Sequence, residues 1–201
     1  MMPVSDTYLS LSAVGEGLYK DNGSRFLAFA YPVESESEVR DIVAARRKEY
    51  HDARHVCYAY RLGLDGLCFR ASDDGEPAGS AGRQILGQID SARLRDVLVV
   101  VVRYFGGIKL GIPGLIRAYK TSSAEALAAA PHICKVAASR YRLSFPYDRL
   151  PAVMRLVKEM GLEQASQDFG TACSLELRVR LSLEEDFLDR IKKIDIFILK
   201  L

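Results

Sequence analysis

The sequence predicts an α+β protein made of two α/β-sandwich domains, residues 1–137 and 138–201. Three observations lead there. The run Val97–Val102 is aliphatic throughout and lies between two helical patterns, as expected of a strand at the centre of a sheet covered by helices. The spacing of apolar residues changes character near Lys135–Ala138. From there to the end the pattern reads strand, helix, strand, strand, helix, strand, the split βαβ or ferredoxin-like plan.

In the first domain, Phe26–Val33 reads as a strand that runs into a capping box, Ser35-x-x-Glu38. The helix that follows places Val39, Ile42, Val43 and Tyr50 on one stripe and mixes acids and bases on the other. Val56–Arg61 is strand-like, and Leu67–Arg70 is a short strand after the Gly66 turn. The turn-rich segment SDDGEPAGSAG, Ser72–Gly82, leads to a helix expected to be capped by Ser80, with Ile85, Leu86 and Ile89 inward. Val97–Phe105 is the central strand, and a loop with four glycines, Gly106, Gly107, Gly111 and Gly114, joins it to a helix expected from about Leu115 to Ala130. Pro131 stops that helix.

In the second domain, Arg140–Phe145 alternates as a strand. Asp148 is placed to cap a helix carrying Leu150, Val153, Met154 and Val157, which Gly161 ends. A weak strand is expected near Leu162–Phe169 and a cleanly alternating one at Leu175–Leu181. A second capping box, Ser182-x-x-Glu185, opens a helix with Phe187, Leu188, Ile191 and Ile194 inward, and Asp195–Leu201 closes as a strand.

Composition narrows the function classes. The formal net charge is only +2, but from Val97 to Ala124 there is no acid, while Arg103, Lys109, Arg117 and Lys120 all fall there. The four cysteines, Cys57, Cys68, Cys134 and Cys173, show no CxxC spacing and read as reduced thiols. The N-terminus lacks the basic and apolar blocks of a signal peptide, and Val97–Val102 is too short to span a bilayer. The expectation is a soluble cytoplasmic protein with no membrane contact.

The glycine loop meets neither nucleotide motif. Gly106 and Gly111 have the first Walker spacing, but Ile112 and Pro113 stand where Lys and Ser or Thr are needed, and G-x-G-x-x-G is absent. What remains is either a tight strand-to-helix corner with solvated bases, or a helix start near Gly114 that offers free N–H groups to an anion beside Lys109 and Arg117. Asp73, Asp74 and Glu76 could hold magnesium, or could pair with Arg83, Arg103 or Lys109 across a groove. His55 and Cys57 are two apart on a strand, but no GxSxG elbow, HExxH helix or other catalytic set emerges, and no metal site or cofactor is expected. In the second domain the alternation puts Arg140, Arg142, Arg178 and Arg180 on the open sheet face with Glu176, a charged face without aromatic platforms for bases.

The words SDDGEPAGSAGRQIL, VVVRYFGGIKLG and LIRAYKTSSAEAL, in that order, resemble the Impact family, whose bacterial members are known as the YigZ family. The upstream segments SRFLAFAYPV and HVCYAYR extend the resemblance. It implies an N-terminal domain like that of a small-subunit ribosomal protein, a C-terminal ferredoxin-like domain like those of elongation factor G, and a role around translation. Kinase regulation, which eukaryotic relatives perform with an additional N-terminal domain, is not carried over. Asp73, Asp74, Gly75, Glu76 and Pro77 match the acidic motif, which Gly82 and Arg83 end; Arg103, Tyr104, Phe105, Gly106, Gly107, Lys109, Leu110 and Gly111 match the second; Gly114, Leu115, Arg117, Ala118 and Tyr119 match the third. The chain departs from the family at Ile112 and Pro113, which remove a hydroxyl and a backbone N–H.

The leading expectation is a non-enzymatic, translation-associated regulatory protein. Its partner would be RNA, the ribosome or a translation protein, held through a groove or surface built from Asp73, Asp74, Glu76, Arg83, Arg103, Tyr104, Phe105, Gly106, Gly107, Lys109, Arg117, Tyr119 and Lys120, and through the arginine face. The alternatives are a metal-assisted enzyme acting on a phosphate-containing small molecule through Asp73, Asp74 and Glu76, and a module that binds a peptide or protein.

Overall fold

The structure is a computed structural model that describes residues 6–170 and 172–201. It divides into two compact units, Tyr8–Lys135 and a second made of Val136–Leu201 with Asp6 and Thr7. Asp6 belongs with the second unit because its carboxylate accepts from Arg180 Nε and Nη2, 3.0 Å each, and its carbonyl from the Ala137 N–H.

In the first unit five strands form one antiparallel sheet in the order β2 (Gly15–Asp21), β3 (Ser24–Pro32), β6 (Val97–Tyr104), β4 (His55–Leu62), β5 (Cys68–Ser72). The central strand β6 is buried on both faces, so its residues need no alternation. Val97, Val99 and Val101 join a core with Phe26, Ile85, Ile89, Leu115 and Tyr119 from the side of α2 (Gly82–Ser91) and α3 (Gly111–Ala129). Leu98, Val100 and Val102 join the other core with Phe29, Val39, Val43 and Tyr60 under α1 (Glu36–Glu49). A two-stranded sheet pairs β1 (Thr7–Leu11) with β7 (His132–Val136).

The second unit holds β8 (Ala138–Pro146), α4 (Leu150–Met160), β9 (Glu163–Phe169), β10 (Ala172–Arg180), α5 (Glu184–Lys192) and β11 (Phe197–Lys200). Its sheet order is β11-β8-β10-β9, antiparallel throughout. Tyr141, Leu143, Phe145, Leu175, Leu177 and Val179 face Val153, Leu156, Phe187 and Ile191 in one core.

Helix starts depart from the sequence reading in instructive ways. Ser35 caps α1 as expected, accepting from the Glu38 N–H at 3.3 Å, but the Glu38 carboxylate reaches back to the Glu34 N–H instead of Ser35. Ser80 does not cap α2. Its hydroxyl donates to the Pro77 carbonyl, and the Asp73 carboxylate takes the N–H groups of Gly79, Ala81 and Gly82 at 2.8–3.0 Å. Asp148 lies in a 3-10 turn and does not cap α4, and Ser182 donates to Asp6 instead of capping α5. Helix α3 begins at Gly111, four residues before the expected Leu115. Pro113 is tolerated because it falls in the first helical turn, where an N–H has no intrahelical acceptor.

Candidate functional site

The β4–β6 register sets His55 opposite Arg103, so Arg54, just before β4, falls at the same end of the sheet. Beyond Arg103 the chain turns through the glycine loop into α3. Gly106 sits so close to the Gly23–Ser24 backbone that a Cβ would lie 2.0 Å from Gly23 C, and Gly107 has φ +92°. Only glycine serves both positions without strain. The tight corner leaves a cavity of about 380 Å³ lined by Arg54, His55, Glu76, Pro77, Arg103, Phe105, Lys109, Leu110, Gly111, Ile112 and Leu115.

One buried ion pair forms its floor. Arg103 Nη1 donates to both Glu76 carboxylate oxygens at 2.7 and 3.0 Å, with the two side chains 9% and 3% exposed. Tyr119 Oη donates to Glu76 Oε1 at 2.8 Å. Behind it, Cys57 Sγ lies 3.3 Å from Tyr119 Oη and 3.0 Å from the Asp73 carbonyl. Burial pushes both the Cys57 thiol and the Tyr119 hydroxyl well above their ordinary ranges, so both stay protonated. Among the described residues no hydrogen bond joins His55 to Cys57: the Cys57 thiol donates to the Asp73 carbonyl, and His55 Nδ1 bonds the Asp74 carbonyl at 2.8 Å.

The acidic motif does not gather around one point. Asp73 holds the α2 amides; Asp74 takes Arg47 at 2.5 Å and the Val56 N–H at 2.6 Å; Glu76 takes Arg103 and Tyr119. Among the described residues no three His, Cys, Asp or Glu side chains converge in a way that could hold a metal ion. Of the expected pairings only Glu76 with Arg103 forms, because Asp74 turns to Arg47 on α1.

Cationic capacity is left over at the mouth. Arg54 and Lys109 line the cavity, and among the described residues neither has an ion-pair partner. Nε of Arg103 is buried away from the mouth and has no hydrogen-bond partner among the described residues. The first turn of α3 carries no acidic residue and no side-chain cap, so the N–H groups of Leu110, Gly111 and Ile112 face no intrahelical acceptor. Pro113 subtracts one donor from that set and leaves three.

Other expected site residues lie elsewhere. Arg117 is 67% exposed and 3.7 Å from Asp21. Lys120 borders a separate shallow depression with Gln88 and Thr121. Arg83 is exposed at the start of α2. Tyr104 Oη donates to Asp52 at 2.7 Å under the Arg25 guanidinium. Arg54 escaped the sequence reading because a base in a turn looks solvated, and its place near Arg103 rests on the β4–β6 register.

On the second unit's open face the arginines are half exposed but each is paired. Arg140 and Arg142 share Glu176, at 3.0 and 2.6 Å; Arg178 meets Glu163 at 3.4 Å; Arg180 meets Asp6 at 3.0 Å. The face also carries an aromatic that the sequence reading denied it: Phe197, 64% exposed, stands opposite Ser144 at the β11 edge.

Fold and site together define a two-unit α+β protein with a cationic, partly apolar cavity at a strand-to-helix corner. Residues 22–127 match the family model described as the Impact N-terminal domain. The chain belongs to the IMPACT family. It is 36% identical to an IMPACT family member of Haemophilus influenzae over 82% of this chain and 81% of that one. It is 44% identical to a Thermus thermophilus member over 70% and 75% of the two chains, and 33% identical to the member YigZ of Escherichia coli over 73% and 72%. A crystal structure of a hypothetical protein, 27% identical, superposes with a TM-score of 0.73 over 98% of both chains. No described helix is long and apolar enough to cross a membrane.

Proposed function

We propose that this chain is a non-catalytic, translation-associated protein that contacts RNA phosphates through the cationic mouth of its Impact domain. The observation that carries the reading is the imbalance at the cavity: among the described residues Arg54 and Lys109 have no counter-ion, while the carboxylates of Asp73, Asp74 and Glu76 are all committed to internal partners. Unpaired cations at a concave surface favour an external anion. The family's place around translation, a ribosomal-protein-like first domain and a ferredoxin-like second domain support RNA or the ribosome as the anion's source. The arginine face becomes a secondary contact, since a phosphate there must compete with Glu176, Glu163 and Asp6. The metal-assisted reading loses support because its three carboxylates diverge.

The test is fluorescence anisotropy with a short single-stranded RNA across a salt series. Affinity should fall linearly on a log–log plot as salt rises. Salt-independent binding, or none at low salt, would sink the reading. A thermal-shift screen with magnesium, manganese and nucleoside triphosphates checks the enzyme alternative, which requires a metal-dependent rise in melting temperature.

A further inference from the structure

We infer that single-stranded RNA lies across the end of the first sheet, with a phosphate on Lys20 and a base on the face of Arg25, before it reaches the cavity mouth. The inference rests on the RNA reading above and extends it from the mouth to a track.

The strand register builds the track. Lys20 on β2 pairs with Arg25 on β3, and Arg25 pairs with Tyr104 on β6. Arg54 stands one residue before His55, whose partner is Arg103, so it falls at the next strand end in the same row. Four neighbouring strand ends, spaced by about 4.8 Å, carry the row over about 14 Å. The β2–β3 turn is Asn22-Gly23, with φ +46° and +76°, the positive values that a two-residue hairpin turn requires. Gly106 packs on that turn, and its N–H donates to Ser24 Oγ at 3.1 Å. The hairpin that carries Lys20 and Arg25 is thereby fixed to the loop that carries Lys109.

The charges in this row work against stability. Directly opposed residues on neighbouring strands have Cβ atoms about 4.5–5.5 Å apart, and like charges there destabilise a sheet. Lys20 and Arg25 are such a pair; both are exposed, and among the described residues neither has an ion-pair partner. Asp21 and Asp52, the acids beside the row, are engaged by Arg117 at 3.7 Å and by Tyr104 Oη at 2.7 Å. Local rules of this kind are broken at functional sites, and a phosphate between the two cations turns their repulsion into attraction.

The aromatic residue decides which nucleic acid fits. The Arg25 guanidinium lies over the Tyr104 ring, 5.0 Å from its centroid, and the hydroxyl of that ring is anchored on Asp52. The ring backs one face of the guanidinium and leaves the other for a ligand. Unstacked bases of single-stranded RNA stack on arginine planes. A duplex keeps its base faces inside its own stack, so it meets the charges of the row but not the plane.

The experiment is fluorescence anisotropy of the full chain with a short single-stranded RNA, and with the same strand annealed to its complement, across a salt series. The single strand should bind at least about tenfold more tightly than the duplex at matched salt. Lys20→Gln should lower the log–log salt slope by about 0.7, the share of one phosphate contact on a single strand. Arg25→Lys keeps the charge and loses the plane, so the slope should hold while affinity falls by about 2- to 30-fold, the range of a cation–aromatic contact. Tyr104→Leu, which removes the ring under Arg25, should reproduce that fall, again with the slope unchanged. Lys20 and Arg25 are exposed, so their variants should fold. If Arg54→Glu/Lys109→Glu weakens RNA binding but Lys20→Gln and Arg25→Lys bind as the parent does, the track is wrong and the mouth reading stands. If Lys20→Gln and Arg25→Lys show their losses but Arg54→Glu/Lys109→Glu shows none, the Lys20–Arg25 contact stands and the mouth reading fails. Equal binding of single strand and duplex overturns the base on Arg25. If no RNA binds, both fall.

Discussion

Removing the Glu76 carboxylate should be the most damaging single change in the first unit. In Glu76→Leu the Arg103 guanidinium, 9% exposed, loses both acceptors of its Nη1, and the buried Tyr119 hydroxyl loses its own at 2.8 Å. Stranding one member of a buried ion pair costs about 3–5 kcal/mol. Arg103→Met strands the carboxylate instead, with only Tyr119 to hold it, and should cost a similar amount. The double variant Glu76→Leu/Arg103→Met leaves no buried charge, and Phe26 and Phe105, which flank the guanidinium at 5.5 and 5.7 Å, remain to pack against the new side chains. A double-mutant cycle should therefore give a coupling of about 2 kcal/mol or more. Native-state hydrogen exchange at β4 and β6 amides reads the first unit without interference from the second. A coupling within about 0.5 kcal/mol of zero would refute the reasoning, because two independent sites would give that result.

Three further outcomes follow from the same geometry. Asp73→Ala should destabilise α2 by about 1–2 kcal/mol, since that carboxylate replaces the missing cap at the helix start, and the amides of Gly79, Ala81 and Gly82 should exchange faster. In the second unit Lys200 and Tyr141 hold the Glu184 carboxyl at about 2, below its ordinary 4.5. The stability it contributes is present above pH 4.5 and lost as pH falls toward 2, so Glu184→Gln should be less stable at neutral pH and show a shallower loss in acid, read by denaturation at several pH values. Of the four thiols, the exposed Cys68 and Cys134 should label in the native protein, and the buried Cys57 and Cys173 only after unfolding; native labelling of Cys57 would contradict its placement behind Tyr119.

Much of the fold was legible because its strongest signals are local. The run at β6, the stripe on α1 and the alternation of β8 and β10 each report burial directly. Strands β1, β2 and β7 escaped because they are short and largely exposed. In β2 the glycines that look like breakers are there because α3 crosses so closely that a Cβ on Gly17 would sit 2.6 Å from the Ser122 carbonyl. The caps failed wherever a distant partner outbid the local one: Ser182 turns to Asp6, 176 residues away, and α2 is capped by Asp73. At the site, Glu76, Arg103, Phe105, Lys109 and Tyr119 were all named from sequence, and pairing of the acidic motif with Arg103 was one of several pairings it offered, but nothing in it singled out Glu76 with Arg103 as the buried pair or brought Arg54 to join them. Pairing across the sheet end depends on register, which no short window of sequence carries.

The most direct test of the central claim is the salt dependence of RNA binding in Arg54→Glu/Lys109→Glu compared with Arg178→Glu/Arg180→Glu. Removing two phosphate contacts at the cavity should reduce the log–log salt slope by about 1.4 for single-stranded RNA, with a clear loss of affinity, while the second pair, already neutralised by Glu163 and Asp6, should change the slope much less. An unchanged slope in the cavity variant, with the loss appearing in the sheet-face variant instead, would contradict the account.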